Sequence, residues 1–320
     1  MKFIQQAFKG ENDWWAYLVT IILFFFGWQF VGVLPLFGVA FAYAENMDDL
    51  KASANDSFMT LGMDSNLYLF LMILTFVAGL ISLLLGVKLI HKRKILTVFT
   101  SRSKLDWSRI IFAFSVWFFI GIVIFAIGYY LTPEDYVWNF KPVPFIILVL
   151  ISFLLLPLQT SMEEVLFRGY LMQGFGTWFK KGFIALILTS VIFGLLHGAN
   201  PEVEKLGWIT MVYYIGTGLL LGIFVIMDEG IELSLGFHAA NNILAAILVT
   251  ANWAAFQTEA LFIDISEPSV DFEFFLPVLV LYPIVLYIFS NKYGWSSWKV
   301  KLFGTIHKPT ELIEDEIING

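Results

Sequence analysis

The sequence contains no cysteine and few charged residues. The absence of cysteine excludes disulfides, thiolate catalysis and cysteine-ligated zinc. Charged residues make up only 14% of the 320 residues, against about 25% in a typical soluble domain. Hydrophobic residues make up 59% and the mean hydropathy is +0.79. This indicates a membrane protein, because a soluble chain must expose much of its surface to water. The net charge of −7 argues against nucleic-acid binding, which requires a basic surface.

Apolar stretches of about 20 residues, the length that crosses about 30 Å of hydrocarbon, recur along the chain. They predict an all-α polytopic membrane protein with about eight transmembrane helices. The predicted spans are Tyr17–Ala44, Leu67–Ile90, Ile110–Leu131, a span from Val143 through Leu158, Phe183–Leu196, Trp208–Met227, Ile231–Val249 and Phe274–Ser290. We therefore expect an N-terminal segment over residues 1–16, a membrane domain over 17–291 and a polar tail over 292–320.

Basic residues cluster in every second connection between the predicted spans. The connections rich in Lys and Arg hold Lys2 and Lys9; Lys92, Arg93, Lys94, Arg102, Lys104 and Arg109; Lys180 and Lys181; and Lys292, Lys299, Lys301 and Lys308. The alternate connections hold only Lys51, Lys141 and Lys205. Because Lys and Arg favour the cytoplasmic side, this pattern predicts an even number of spans with both termini in the cytoplasm. We expect an integral protein of a bacterial cytoplasmic (inner) membrane.

Ionisable and amide side chains are concentrated at three places within the predicted spans. These places are Gln159–Arg168, Phe193–His197 and His238–Asn242. Such residues are costly inside a bilayer and usually mark a functional site. The sequence therefore predicts a polar intramembrane site within residues 143–250.

Helical spacing predicts how the side chains of the first group are directed. Glu164 and Arg168 are four residues apart and share a face. Gln159 and Glu163 share another face, turned by about 100°. Arg168 is thus expected to pair with Glu164 and to leave Glu163 available. If this span continues as a helix to about residue 176, Glu163 and His197 lie at similar depth.

Each polar group also has a purely structural interpretation. Glu164 and Arg168 are compatible with an ion pair that only locks two helices. Asn241 and Asn242 are compatible with hydrogen bonds between helices, and His197 with an interfacial histidine. The conjunction of carboxylates, imidazoles and an amide in three spans favours a catalytic site over packing.

The three groups read EExxxR, FxxxH and HxxxN in chain order. In membrane context this series resembles the CAAX prenyl protease and bacteriocin-processing family of intramembrane proteases, over about residues 143–250. The resemblance implies six catalytic-site residues: Glu163, Glu164, Arg168, His197, His238 and Asn242. It implies that Glu163 is the general base that activates water, with help from His197. Glu164 and Arg168 would fix the helix and orient Glu163.

The resemblance further implies that His238 and Asn242 stabilise the oxyanion of the tetrahedral intermediate. Zinc is a possible cofactor, since Glu163, His197 and His238 are the right types for a catalytic zinc with an open fourth position. The sequence has no HExxH motif, and Asn242 is a poor zinc ligand. We therefore favour a reaction without a metal or other cofactor.

The predicted function is an intramembrane endopeptidase that hydrolyses a membrane-associated or lipidated peptide or protein. Its expected partners are that substrate and membrane lipid. One alternative is a non-catalytic scaffold of the same fold, which binds a peptide or gives self-immunity to a bacteriocin. Another is a transporter with a buried Glu/His relay. The polar residues lie in one half of the chain only, which counts against the transporter because transporters often repeat such features in both halves.

Overall fold

The computed structural model of the chain describes residues 2–54, 57–251, 253–254 and 257–310. Its α-helices are α1 Trp14–Phe26, α2 Leu34–Tyr43, α3 Met47–Ser53, α4 Ser65–Leu89, α5 Trp107–Leu131, α6 Pro142–Glu164, α7 Met172–Trp178, α8 Gly182–Leu196, α9 Pro201–Leu206, α10 Met211–Asp228, α11 Glu232–Ile247, α12 Phe272–Leu276, α13 Tyr282–Tyr293 and α14 Trp298–Phe303. The short strands are β1 Tyr136–Trp138, β2 Val249–Thr250 and β3 Phe262–Asp264. Short 3-10 helices occupy Ile4–Lys9, Met59–Leu61, Ile95–Val98, Pro133–Asp135, His197–Ala199 and Trp208–Thr210.

Seven helices in the described part of the chain are long and apolar enough to cross a membrane. They are Trp14–Tyr43, Ser65–Leu89, Trp107–Leu131, Pro142–Trp178, Gly182–Ala199, Trp208–Asp228 and Phe274–Tyr293. The protein is therefore an all-α polytopic membrane protein. Three of these helices contain a π-helical stretch, at Gly27–Val31, Val165–Leu171 and Pro277–Leu281. The span that begins at Pro142 continues helically to Trp178, as the depth argument from the sequence requires.

The connections between helices form two ends of the bundle. The first, the basic end, comprises the N-terminal segment, the α4–α5, α7–α8 and α10–α11 connections and the C-terminal segment. Phe3 N donates to Glu229 Oε2 (2.8 Å), and Gln5 Nε2 donates to the His307 carbonyl (2.8 Å). Both chain ends, as far as the structure describes them, therefore lie at the same end of the bundle. Residues 311–320 of the predicted tail lie outside the described residues.

The second end, the acidic end, comprises the α2–α4, α5–α6, α8–α10 and α11–α12 connections. A small sheet in the order β1-β3-β2 joins two of them, with β1 antiparallel and β2 parallel to β3. Asn66 Nδ2 donates to the Pro144 carbonyl (2.9 Å), and Lys141 pairs with Glu259 (2.8 Å). Sequence periodicity did not predict this sheet, because its strands have only two or three residues.

Helix α11 corresponds to the predicted span Ile231–Val249 and is the shortest crossing. It has 16 residues, about 24 Å of helix. Its first residue, Glu232, pairs with Arg102 at the basic end (3.2 Å), and β2 follows it at the acidic end. All of its residues except Asn241 and Ala245 are buried. The helix thus runs between the two ends inside the protein, where no lipid contact demands a long apolar stretch.

Local sequence signals explain where the long helices begin and how closely they pack. The Asp64 side chain accepts from Leu67 N (3.0 Å) at the start of α4, and Asp106 accepts from Ser108 N (3.1 Å) at the start of α5. These are N-caps, which satisfy backbone donors that a helix start leaves without partners. At Gly218, a Cβ atom would lie 2.9 Å from Ser190 Cα. The glycine therefore allows α10 to approach α8 closely.

Candidate active site

The three polar groups predicted from the sequence meet around one cavity of about 430 Å³. Four of the six predicted residues line it: Glu163, His197, His238 and Asn242. Glu164 and Arg168 lie behind this lining and are fully buried. An apolar wall from α4, which includes Met72 and Phe76, faces the polar groups. The combination of an apolar wall with a few convergent polar groups is typical of a ligand or substrate site.

Glu164 is the centre of a buried charge cluster. Its Oε1 atom accepts from Arg168 Nη1 (3.0 Å) and from His238 Nδ1 (2.8 Å). The ion pair predicted from the spacing of Glu164 and Arg168 is therefore present, and it also holds the histidine of α11. Arg168 lies over the ring of Phe193, with its guanidinium carbon 4.3 Å from the ring centroid. This contact partly replaces the water that the buried guanidinium has lost.

The hydrogen bond from His238 to Glu164 determines which ring nitrogen carries a proton. A carboxylate only accepts, so Nδ1 of His238 must be the donor. The other nitrogen, Nε2, then faces Glu163 Oε2 at 3.7 Å. That oxygen of Glu163 has no hydrogen-bond partner among the described residues. It is a buried acceptor without a hydrogen-bond partner in that part of the chain, beside the cavity that the same side chain lines.

His197 is oriented in the same manner by the backbone. Its Nδ1 donates to the Phe193 carbonyl one turn earlier (2.7 Å), so in the neutral ring Nε2 carries the free lone pair. The imidazole packs on Phe193 one helical turn earlier (centroids 4.5 Å apart) and stacks on Tyr214 (4.4 Å, 24° between planes). Asn200 in turn donates to the Tyr214 hydroxyl (3.1 Å). These contacts fix the ring position at the end of α8.

A chain of amide side chains connects Asn242 to Glu163. Asn242 Nδ2 donates to Gln159 Oε1 (3.0 Å), and Gln159 Nε2 donates to Glu163 Oε1. On the other side, Asn241 Nδ2 donates to Asn242 Oδ1 (3.2 Å), and Trp117 Nε1 donates to Asn241 Oδ1 (3.2 Å). The indole can only donate and the carboxylate can only accept. The two ends of the chain therefore fix the orientation of all three amides between them.

Gln159, Asn241 and Tyr214 were not among the residues that the sequence predicted for the site. The spacing of Gln159, one turn before Glu163, was a usable signal for the first. Asn241 was interpreted as a contact between helices, and its bond to Trp117 of α5 is of that kind. No periodicity points to Tyr214, because its role depends on the position of His197 in a different helix.

A π-helical turn follows Glu164 directly and covers Val165–Leu171. Such turns are uncommon and occur frequently at functional sites. This one carries Arg168, and its Gly169 lies against the Val98 carbonyl, where a Cβ atom would clash. The turn thus directs Arg168 into the bundle while the helix passes close to the α4–α5 connection.

The predicted zinc ligands do not form a metal-binding group in this geometry. No three His, Asp or Glu side chains in the described ranges are arranged so that they could hold a metal ion. In contrast, the Nδ1 contacts of His197 and His238, to a carbonyl and a carboxylate, are of the kind that orient histidine ligands. The two rings are therefore oriented as histidine ligands of a metal are. They do not, however, form a three-residue metal-binding group with Glu163.

Comparison with known proteins identifies relatives over the same region. The family described as type II CAAX prenyl endopeptidase Rce1-like matches residues 142–244, the range that contains all six predicted site residues. The uncharacterized protein YyaK of Bacillus subtilis (strain 168) is 31% identical over 247 residues, which span 76% of this chain and 80% of YyaK. No solved structure matches the chain. Because this similarity extends over most of both proteins and the family match covers the site, the chain belongs to the type II CAAX prenyl endopeptidase Rce1-like family.

Proposed function

We propose that this protein is an intramembrane endopeptidase in which Glu163 activates a water molecule. The observation that carries the proposal is the different environment of two adjacent glutamates. Glu164 is fully buried and bonded to Arg168 and His238. Glu163 lines the cavity, and its Oε2 atom has no hydrogen-bond partner among the described residues. The Glu164 carboxylate thus has a structural role, and the Glu163 carboxylate is the one left for proton transfer.

In the proposed reaction, water lies between the Glu163 carboxylate and His197 Nε2. Glu163 takes one proton as the water oxygen bonds to the carbonyl carbon of the substrate. The carbonyl π electrons move to oxygen, which becomes an oxyanion. Glu163 then delivers the proton to the peptide nitrogen, and the C–N bond breaks to give a carboxylic acid and an amine. This scheme needs no co-reactant other than water.

The oxyanion would be stabilised by His238 and Asn242. One Nδ2 hydrogen of Asn242 is bonded to Gln159, so the second remains for the substrate. His238 can donate through Nε2 only as an imidazolium, because Nδ1 already donates to Glu164. Each such donor is worth about 10²–10³-fold in kcat.

The proposed substrate is a peptide or protein in or at the membrane, with or without a lipid group. The apolar α4 wall of the cavity suits an apolar side chain or chain segment. We further propose that the protein resides in a bacterial cytoplasmic membrane with both termini in the cytoplasm, because Lys and Arg are concentrated at the basic end. No step of the proposed reaction uses a metal.

The test uses purified protein in nanodiscs and a library of quenched membrane-bound peptides. Wild-type protein is expected to cleave a subset of them, and Glu163→Gln is expected to bind the same peptides without cleaving them. Glu204→Gln is the matched control, since Glu204 is exposed at the acidic end and lies outside the cavity lining. Full cleavage by Glu163→Gln would overturn the assignment of the base. Binding without cleavage by both proteins would indicate the non-catalytic scaffold instead.

A further inference from the structure

The catalytic cavity is closed toward the basic end of the bundle. Beyond Glu163 in that direction, every residue from Glu164 to Tyr170 is buried. On α11, every residue from Glu232 to Ala240 is buried as well. Gln173, one further turn along, is fully buried and bonds to the Phe3 and Thr97 carbonyls (3.1 and 2.7 Å). A continuous packed layer therefore separates the catalytic groups from the basic connections.

Exposure of the cavity lining increases in the opposite direction. Along α11, His238 and Asn242 are buried, whereas Ala245, which is closer to the acidic end, is exposed. Gln257, in the connection after β2, also lines the cavity and is exposed. Helix α8 reaches the cavity with its last turn, and Asn200 of the following connection is part of the lining. The mouth of the cavity is thus formed by the acidic-end connections.

The charge of the two ends assigns the mouth to one side of the membrane. All but four of the 19 Lys and Arg residues lie at the basic end, and the exceptions are Lys51, Lys141, Lys205 and the buried Arg168. Lys and Arg near the ends of spans are retained in the cytoplasm. Eight crossings, with α11 included, place every basic connection on the same side. The acidic end is therefore the non-cytoplasmic one.

From this arrangement we infer that the active site takes its substrate from the non-cytoplasmic side of the membrane. The inference rests on the proposed protease function and deepens it. The substrate class is a membrane-associated peptide, or a membrane-protein segment, whose scissile bond is exposed on that side. A chain terminus located in the cytoplasm has no path to Glu163, because the segments 164–170 and 232–240 fill the cytoplasmic half of the bundle.

The first test measures accessibility and needs no proteolysis. Because the chain has no cysteine, single substitutions report on one position each. We would label Ala245→Cys in the cavity, Ser269→Cys in the exposed acidic-end connection and Ser103→Cys in the exposed basic-end connection, using a membrane-impermeant maleimide. In intact cells, Ala245→Cys and Ser269→Cys should react, whereas Ser103→Cys should react only after permeabilisation.

Two results of the labelling would overturn the inference. One is reaction of Ala245→Cys only under the conditions that Ser103→Cys requires. The other is no reaction of Ala245→Cys in either condition while both connection variants label normally, since a mouth at the acidic end requires access of water. If Ala245→Cys is absent from the membrane fraction, Gln257→Cys would replace it, because Gln257 lines the same mouth of the cavity.

The second test uses two reporter proteins with one transmembrane helix each. Both carry the same cleavable segment, placed on the cytoplasmic side in one and on the non-cytoplasmic side in the other. Co-expressed wild-type protein should cleave only the second reporter, and Glu163→Gln should cleave neither. Cleavage of the cytoplasmic reporter alone would overturn the inference. Cleavage of neither reporter by wild type, together with the expected labelling of Ala245→Cys, would refute the protease function for this segment and leave the direction of the mouth intact.

Discussion

Asn242 donates a hydrogen bond from Nδ2 to Oε1 of Gln159, 3.0 Å away. The same glutamine donates from Nε2 to the Glu163 carboxylate. The proposed base on α6 and the proposed oxyanion donor on α11 are therefore held in one register by a single side chain. Gln159 is itself buried, which limits the competition of water for these bonds. A substitution of Gln159 should therefore disturb the orientation of both Glu163 and Asn242.

The first prediction concerns this bridge. Gln159→Met keeps the size of the side chain and removes both hydrogen bonds. We expect kcat to fall about 10²-fold with little change in KM, because loss of orientation acts on the transition state. Binding of uncleaved peptide, measured separately, should be retained. A large rise in KM with kcat intact would show that Gln159 serves substrate binding, in contradiction to the bridge.

The second prediction separates the two asparagines of α11. Asn242→Ala removes the proposed donor and should lower kcat about 10²–10³-fold with little effect on KM. Asn241→Ala should lower kcat only about fivefold, because Asn241 acts by holding Asn242 Oδ1 (3.2 Å) and one orienting bond of a neutral group is worth about 1 kcal/mol. Kinetics of both variants on one quenched peptide provide the measurement.

Trp117→Phe is the matched control for this amide chain. It removes the Nε1 donor to Asn241 and keeps an aromatic ring that can stack on Phe237, whose centroid lies 4.2 Å from that of Trp117. The effect on kcat should be no larger than that of Asn241→Ala. Equal losses of kcat in Asn242→Ala and Asn241→Ala would show that both asparagines act in helix packing and that Asn242 is not an oxyanion donor.

The third prediction concerns the buried ion pair. Glu164→Gln and Arg168→Met each leave one charge without its partner in a fully buried place, where both side chains are 0% exposed. Each should destabilise the protein by about 3–5 kcal/mol. The double variant should be less destabilised than the sum of the single variants, because no charge of the pair is then unpaired. Thermal unfolding in detergent would measure this, and strictly additive losses would contradict the pairing.

Much of the fold follows from composition, and much of the site follows from the cost of polar groups in lipid. Apolar runs predicted the crossings, and the spacing of Glu164 and Arg168 predicted their ion pair, because both depend on one helix at a time. The π-helical turn Val165–Leu171 and the bridge through Gln159 escaped prediction. Both depend on contacts between elements far apart in sequence. The sheet formed by β1, β2 and β3 also escaped prediction, because its strands have only two or three residues.

The fourth prediction concerns metal. Glu163, His197 and His238 do not form a metal-binding group among the described residues. Elemental analysis of the purified protein should therefore show no stoichiometric zinc, and prolonged chelation should leave cleavage intact. Activity that is lost to a chelator and restored by zinc alone would show that these side chains rearrange to bind the ion.

The last prediction concerns pH and lies outside the catalytic cavity. His91 is fully buried in the α4–α5 connection. Its Nδ1 donates to the Glu11 carbonyl (2.6 Å), and its Nε2 accepts from the Tyr170 hydroxyl (2.7 Å). Both contacts fit the neutral ring. Burial, with a smaller contribution from the nearby Arg93 guanidinium, lowers the pKa of His91 from 6.5 to about 4.

The sign of the pH effect follows from this shift. In the unfolded chain His91 binds a proton below about pH 6.5, whereas the folded protein does not until about pH 4. The stability due to neutral His91 is therefore complete above about pH 6.5 and is lost as the pH falls toward 4, by up to about 3 kcal/mol.

Thermal unfolding should show a lower Tm at about pH 5 than at about pH 7. In His91→Gln this difference should shrink, although the variant is less stable at both pH values. His307→Gln, which alters an exposed ring, should keep the full difference. An unchanged difference in His91→Gln would show that other groups dominate the acid sensitivity, because the buried imidazole would then have contributed nothing to it.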